Sequence, residues 1–104
     1  MDLPADKRAA YRALVDAVLG GRGTATAEQR TRAFENTETD PALRPLLEKV
    51  ATAPSRITDA DFDRARAAGS SEDHLFEVVI AAAVGQSTRM YESALAALDE
   101  ATAG

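Results

Sequence analysis

The stretch from Ser71 to Ala101 contains no proline and spells one long helix, and the rest of the chain has to be arranged around it. Ser71 stands at a natural N-cap. Glu72 and Asp73 follow in the first turn, where the helix dipole favours negative charge. The middle, Val78 to Val84, is apolar on every side. A helix of that kind needs cover on every side. Seven residues fall far short of the roughly 20 that span a bilayer, so protein has to supply the cover. The remaining chain is short and polar. Part of the cover is therefore expected from another copy, through Val78 to Val84.

Four shorter helices are expected before it. Ala5 to Leu19 carries Tyr11, Leu14, Val15, Val18 and Leu19 at spacings that place them on one face. Pro4 suits the opening position, Asp2 or Leu3 precedes it, and Gly20-Gly21 ends it. Gly20-Gly21-Arg22-Gly23 has the composition of a phosphate loop. No strand precedes it and no Lys-Ser/Thr follows, so a turn between helices accounts for it. Thr26 and Gln29 form a capping box for a helix to about Glu35, anchored by Phe34, with Arg30 and Arg32 expected in solvent. Asn36 to Asp40 is a polar linker. A third helix is expected from Asp40-Pro41 to about Ala53, with Leu43, Leu46, Leu47 and Val50 on its apolar face. Thr58 caps a fourth, with Asp59 and Asp61 in its first turn, Phe62, Ala65 and Ala68 facing inward, and Gly69 at its end. No sustained alternation marks a strand. The expected fold is all-α, a five-helix bundle organised on its long C-terminal helix.

Composition narrows the function. The 104 residues fit one domain. Twelve basic and seventeen acidic side chains leave a net charge of −5, which disfavours nucleic acid and anionic lipid as partners. The chain has no cysteine, so thiolate metal sites and thiol chemistry are excluded. The N-terminus lacks the apolar core of a signal peptide, and no segment is a transmembrane candidate, which suggests a cytoplasmic location.

One string of residues is recognisable: Ile57-Thr58-Asp59-Ala60-Asp61-Phe62, then Ala67-Ala68-Gly69-Ser70-Ser71-Glu72-Asp73, then Leu75-Phe76-Glu77-Val78-Val79. It resembles the carboxymuconolactone decarboxylase and AhpD-like alkylhydroperoxidase superfamily over Ile57 to Leu98. The resemblance implies an all-helical subunit that assembles as a trimer or hexamer. The family's redox members carry Cys-x-x-Cys-x-x-x-His before this glycine. Counting back from Gly69 places those residues at Pro54, Ile57 and Asp61, so none of the three is present. Thiol peroxidase chemistry needs a thiolate and a resolving partner. The chain has neither, and the resemblance therefore implies a divergent, non-redox member.

Other chemistry has few candidates. His74 is the only histidine, and an acid-base role competes with a surface or interface role. Phe76, Val79, Ala83, Gln86, Met90 and Ala94 share one stripe of the helix, so Gln86 replaces an expected apolar residue. Gly85 permits a close approach. Gln86 and Arg89, joined by Tyr91, are the candidate pocket for a small carboxylate; an intersubunit hydrogen bond or an ion pair would satisfy them equally. A decarboxylase would use Arg89 against the carboxylate, with nothing evident to stabilise a carbanion. His74 and Arg89 lie about 22 Å apart along one helix and can meet only across subunits. Glu48 and Glu77 are possible catalytic carboxylates, and Asp73 with Glu77 a possible cation site; no second ligand set accompanies them, and no metal or cofactor is expected. Two readings remain: a helical scaffold or partner-binding oligomer, and a lyase or binder of small carboxylates.

Overall fold

The computed structural model describes residues 5–21 and 23–103. Among them lie five α-helices and no strand: α1 (Ala5–Gly20), α2 (Ala27–Glu35), α3 (Arg44–Thr52), α4 (Asp59–Ala67) and α5 (Glu72–Ala103), with a 3-10 turn at Pro54–Arg56 between α3 and α4. Asp2, Leu3, Pro4 and Arg22 fall outside the described residues, as does the expected opening of α1.

The long helix sets the shape. Its 32 residues span about 48 Å at 1.5 Å each, close to the longest dimension of the molecule, 52 Å. The other helices cover one side of it. α2 and α3 both lie against it, α1 packs on α2 and α5, and α4 packs on α3 and α5. The core forms where α2, α3 and α4 meet α5: Ala25, Ala33, Leu43, Leu46, Leu47, Ala65, Leu75, Val78, Ala81 and Ala82. Half of these residues are alanine, which lets the helices approach closely.

The helix ends follow the local chemistry. Thr26 and Gln29 form the capping box of α2. The Ser71 hydroxyl accepts the His74 N–H at 3.1 Å and opens α5. α4 closes with the Gly69 N–H on the Arg66 carbonyl and the Ser70 N–H on the Ala65 carbonyl. Gly69 sits at φ +106°, a conformation in which glycine avoids a Cβ clash. α2 closes in the same way with Asn36 at φ 58°, Asn36 and Thr37 donating to Ala33 and Arg32.

Three expectations are corrected. α3 begins at Arg44, not Pro41. In a helix started at Pro41, Pro45 would lack its donor and press on the carbonyl four residues back; started at Arg44, Pro45 falls where donors are unpaired anyway. Asp40 still caps, but it caps the turn before α3, accepting from the Ala42 N–H at 2.9 Å. Arg30 is not in solvent: it is 7% exposed, with its guanidinium on the Val18 and Thr26 carbonyls. A cation at the last turn of α1 complements the negative end of that helix. Ala68 is exposed, whereas Ala65 is buried and Phe62 half-buried.

Candidate functional site

Val78 to Val84 is covered on one side only. Val78, Ala81 and Ala82 are buried, Val79 and Val84 half-buried, and Ile80 and Ala83 exposed. The exposed pair belongs to a longer stripe. Phe76, Ile80, Ala83, Ser87, Met90, Ala94, Ala97 and Ala101 recur every three or four residues, and all of them are exposed. Phe76 is 69% exposed and Met90 62%. The only charged residue of α5 between Glu77 and Glu92 is Arg89, which points the other way. The outward face is therefore apolar and uncharged for most of its length. The stripe expected through Val79 and Gln86 is rotated slightly: those two are half-buried at its edge, and Ile80 and Ser87 take their places.

The inward face is finished. Gly85 lies against Phe34 so closely that a Cβ would collide with the Phe34 carbonyl and its Cα. The approach that Gly85 permits is thus that of the α2 backbone. Arg89 closes the same contact. Its Nη1 donates to the Phe34 carbonyl at 2.6 Å and its Nη2 to Gln86 Oε1 at 3.2 Å. Arg89 thereby caps the C-terminal end of α2, where a cation is favoured. Gln86 and Arg89 come together as expected, but Tyr91 does not join them. It stacks on Tyr11 of α1, with ring centroids 5.0 Å apart. Tyr11 and Thr88 share a hydrogen bond of 2.9 Å between their hydroxyls.

Glu77 occupies the glycine-rich loop. Its carboxylate accepts from the Thr24 N–H at 2.9 Å and the Ala25 N–H at 2.6 Å. Gly23 leaves the space, since a Cβ there would collide with the same carboxylate. The loop does cradle an anion, and the anion is the chain's own side chain. Asp73 is exposed. Among the described residues no group of three or more His, Asp or Glu side chains is placed to hold a metal ion. Glu48 is exposed and pairs loosely with Arg44 at 3.8 Å.

His74 lines a polar cavity of about 490 Å³ with Gln29, Arg32, Glu38, Asp40 and Ser71. The ring is half-buried, and its Nδ1 is buried with no hydrogen-bond partner. Glu38, 5% exposed, accepts from Arg32 Nε at 3.3 Å and from the Thr39 N–H at 2.9 Å. Sequence reasoning placed Glu38 in a linker; nothing in its neighbours signals burial, because the partner that holds it, Arg32, comes from α2. His74 and Arg89 stand fifteen residues apart on α5, about 22 Å along the helix.

Asp61 stands where the resemblance counts a histidine. It is 2% exposed. Its carboxylate accepts from Lys49 Nζ at 2.9 and 3.0 Å and from the Thr58 N–H at 2.9 Å. The Thr58 N–H and the Lys49 ammonium hold its pKa at about 2, against the penalty of burial. A carboxylate so fully engaged is a poor acid or base near neutrality. At the next turn Arg66 bonds Glu72 and holds that carboxyl below its ordinary value.

No helix of the described residues is long and apolar enough to cross a membrane. No family model, curated protein or solved structure matches the chain.

Proposed function

We propose that this is a cytoplasmic, non-redox helical assembly protein of the AhpD-like type, a homo-oligomer that acts as a scaffold or partner-binding subunit. The observation that carries the reading is the outward face of α5. It presents Phe76, Ile80 and Met90 to solvent in one line without a charge. A contiguous apolar face of this kind marks an interaction site on a water-soluble chain. The rest of the surface is rich in charge, whereas this face carries none between Glu77 and Glu92, since Arg89 points inward.

The positions counted for redox chemistry support the non-redox part. They hold Pro54, Ile57 and an Asp61 already engaged with Lys49 and Thr58. The lyase or small-carboxylate reading takes second place, because the cation it needs, Arg89, is bound to the Phe34 carbonyl and Gln86.

Native mass spectrometry tests the proposal. The expected result is a multiple of the single-chain mass, reduced to one copy by Phe76→Glu with helical circular dichroism unchanged. A single-copy mass for the unmodified chain overturns the assembly reading. A retained small carboxylate, lost with Arg89→Ala, overturns the ranking in favour of the second reading.

A further inference from the structure

We propose that the polar cavity beside His74 binds a small organic ammonium ion, with Glu38 and His74 receiving its N–H groups. The cavity shares no lining residue with the outward stripe of α5, so this site is independent of the assembly reading.

Three separate pieces of chain wall the cavity. Gln29 and Arg32 come from α2, Glu38 and Asp40 from the linker behind it, and Ser71 and His74 from the start of α5. Its volume of about 490 Å³ falls within the roughly 300–1,000 Å³ of small-molecule sites. Walls this polar suit a ligand that is itself polar or charged.

Glu38 gives the sign of that charge. It is 5% exposed, and a carboxylate so deep needs its oxygens satisfied. Its donors converge on one of them. Oε2 accepts from Arg32 Nε at 3.3 Å, from the Thr39 N–H at 2.9 Å and from the Asp40 N–H at 3.5 Å. Among the described residues nothing donates to Oε1. Arg32 is shared as well, since its Nη1 pairs with Glu28 at 3.1 Å. Asp40 adds a second carboxylate to the lining. Two carboxylates against one divided guanidinium leave the walls short of positive charge.

His74 supplies a second acceptor. Its Nδ1 is buried without a hydrogen-bond partner, so no bond there holds the ring. Turning the ring about Cβ–Cγ, a soft and roughly two-fold torsion, therefore breaks no hydrogen bond at Nδ1 and can offer a nitrogen to the cavity. A neutral imidazole accepts at one nitrogen, and an ammonium donates three N–H groups. One ammonium can thus join Glu38 Oε1 to the imidazole, with a donor to spare. A metal ion is a poorer fit, because it needs several ligands at once, and among the described residues no three His, Asp or Glu side chains are placed to hold one. An organic stem also fills volume that a bare ion leaves open.

Three probes of similar size separate charge from shape: ethanolamine, ethylene glycol and glycolate. Each is titrated into the full chain at pH 8, where a histidine with the ordinary pKa of about 6.5 is neutral and a primary amine is still mostly protonated. His74 is the only histidine, so one set of imidazole NMR signals reports on the site, with the Thr39 and Ser71 amides beside it. Ethanolamine is expected to shift these signals saturably, and ethylene glycol and glycolate are not. Half-saturation is expected to rise about tenfold or more in Glu38→Gln, and again in His74→Leu read at the two amides. If Glu38→Gln does not fold, His74→Leu alone decides. No saturable response to ethanolamine, an equal response to all three probes, or a half-saturation unchanged in His74→Leu overturns the site. Saturation by glycolate alone overturns it in favour of an anion held by Arg32.

Discussion

The two long faces of α5 are built from the same residue types and finished to opposite degrees. Inward, Leu75, Val78, Ala81 and Ala82 are buried, Gly85 admits a backbone, and Arg89 answers a carbonyl. Outward, one residue along, Phe76 begins a line of mostly apolar side chains left exposed to solvent. Leu75 is 2% exposed and Phe76 69%. Adjacent positions on one helix, with similar hydrophobicity, thus belong to different tasks: one to the fold of a single chain, the other to what that chain meets. Apolar character alone does not tell them apart; the neighbours do.

The largest expected effect is at Gly85. A side chain there has to displace the Phe34 backbone, and no rotamer relieves a collision with a carbonyl. Gly85→Val is expected to cost about 3 kcal/mol or more, read as a lower urea midpoint, and a near-normal midpoint breaks the account of the α2–α5 crossing. Leu75→Ala comes next, at about 2–4 kcal/mol for a buried leucine, with the same readout. Glu77→Ala removes two charge-assisted hydrogen bonds from a half-buried carboxylate and is expected to cost about 1–2 kcal/mol. It also frees the loop before α2, measurable as faster amide exchange at Thr24 and Ala25.

Acid sharpens the comparison from another side. Asp61 has its pKa lowered from 3.8 to about 2 in the folded chain. The folded state therefore binds this proton less readily than the unfolded state does. Its stabilisation is fully present above about pH 4 and is lost as the pH falls from 3.8 toward 2. Asp61→Asn is expected to flatten that part of the acid limb, and an unchanged limb counts against Asp61, held by the Thr58 N–H and the Lys49 ammonium, as its source. The smallest effect on the single chain belongs to Phe76→Ala. Measured where only monomer is present, its urea midpoint should move by no more than about 0.5 kcal/mol. A loss as large as that of Leu75→Ala would mean that the outward face supports the fold after all.

The caps of α2, α4 and α5 were legible because a cap is local: Thr26 with Gln29, Thr58 with Asp61 and Ser71 with His74 each lie three residues apart. The start of the third helix was not legible because Asp40-Pro41 is a good start signal, and the competing demand comes from Pro45, four residues on. Arg30 and Glu38 were not legible as buried groups, since each is held by atoms the local pattern does not contain: the Val18 carbonyl for one, the Arg32 guanidinium for the other. Gln86 and Arg89 stood out in the sequence as polar groups needing partners, and the need was real, but the partner is the Phe34 carbonyl, 55 residues away from Arg89.

By itself the sequence determined the helical class, most helix ends, the absence of thiol chemistry and the presence of an apolar segment too richly apolar for the rest of the chain to cover. These follow from short-range rules, from periodicity and from composition. Only the tertiary structure decided which side of α5 the chain covers, that Glu77 fills the glycine loop and that Arg89 serves α2. Those outcomes depend on which segments distant in sequence come to lie within hydrogen-bonding or van der Waals reach. Helical periodicity fixes the angle of a side chain about its own axis, while the direction from which a neighbour arrives is settled only when the whole chain packs.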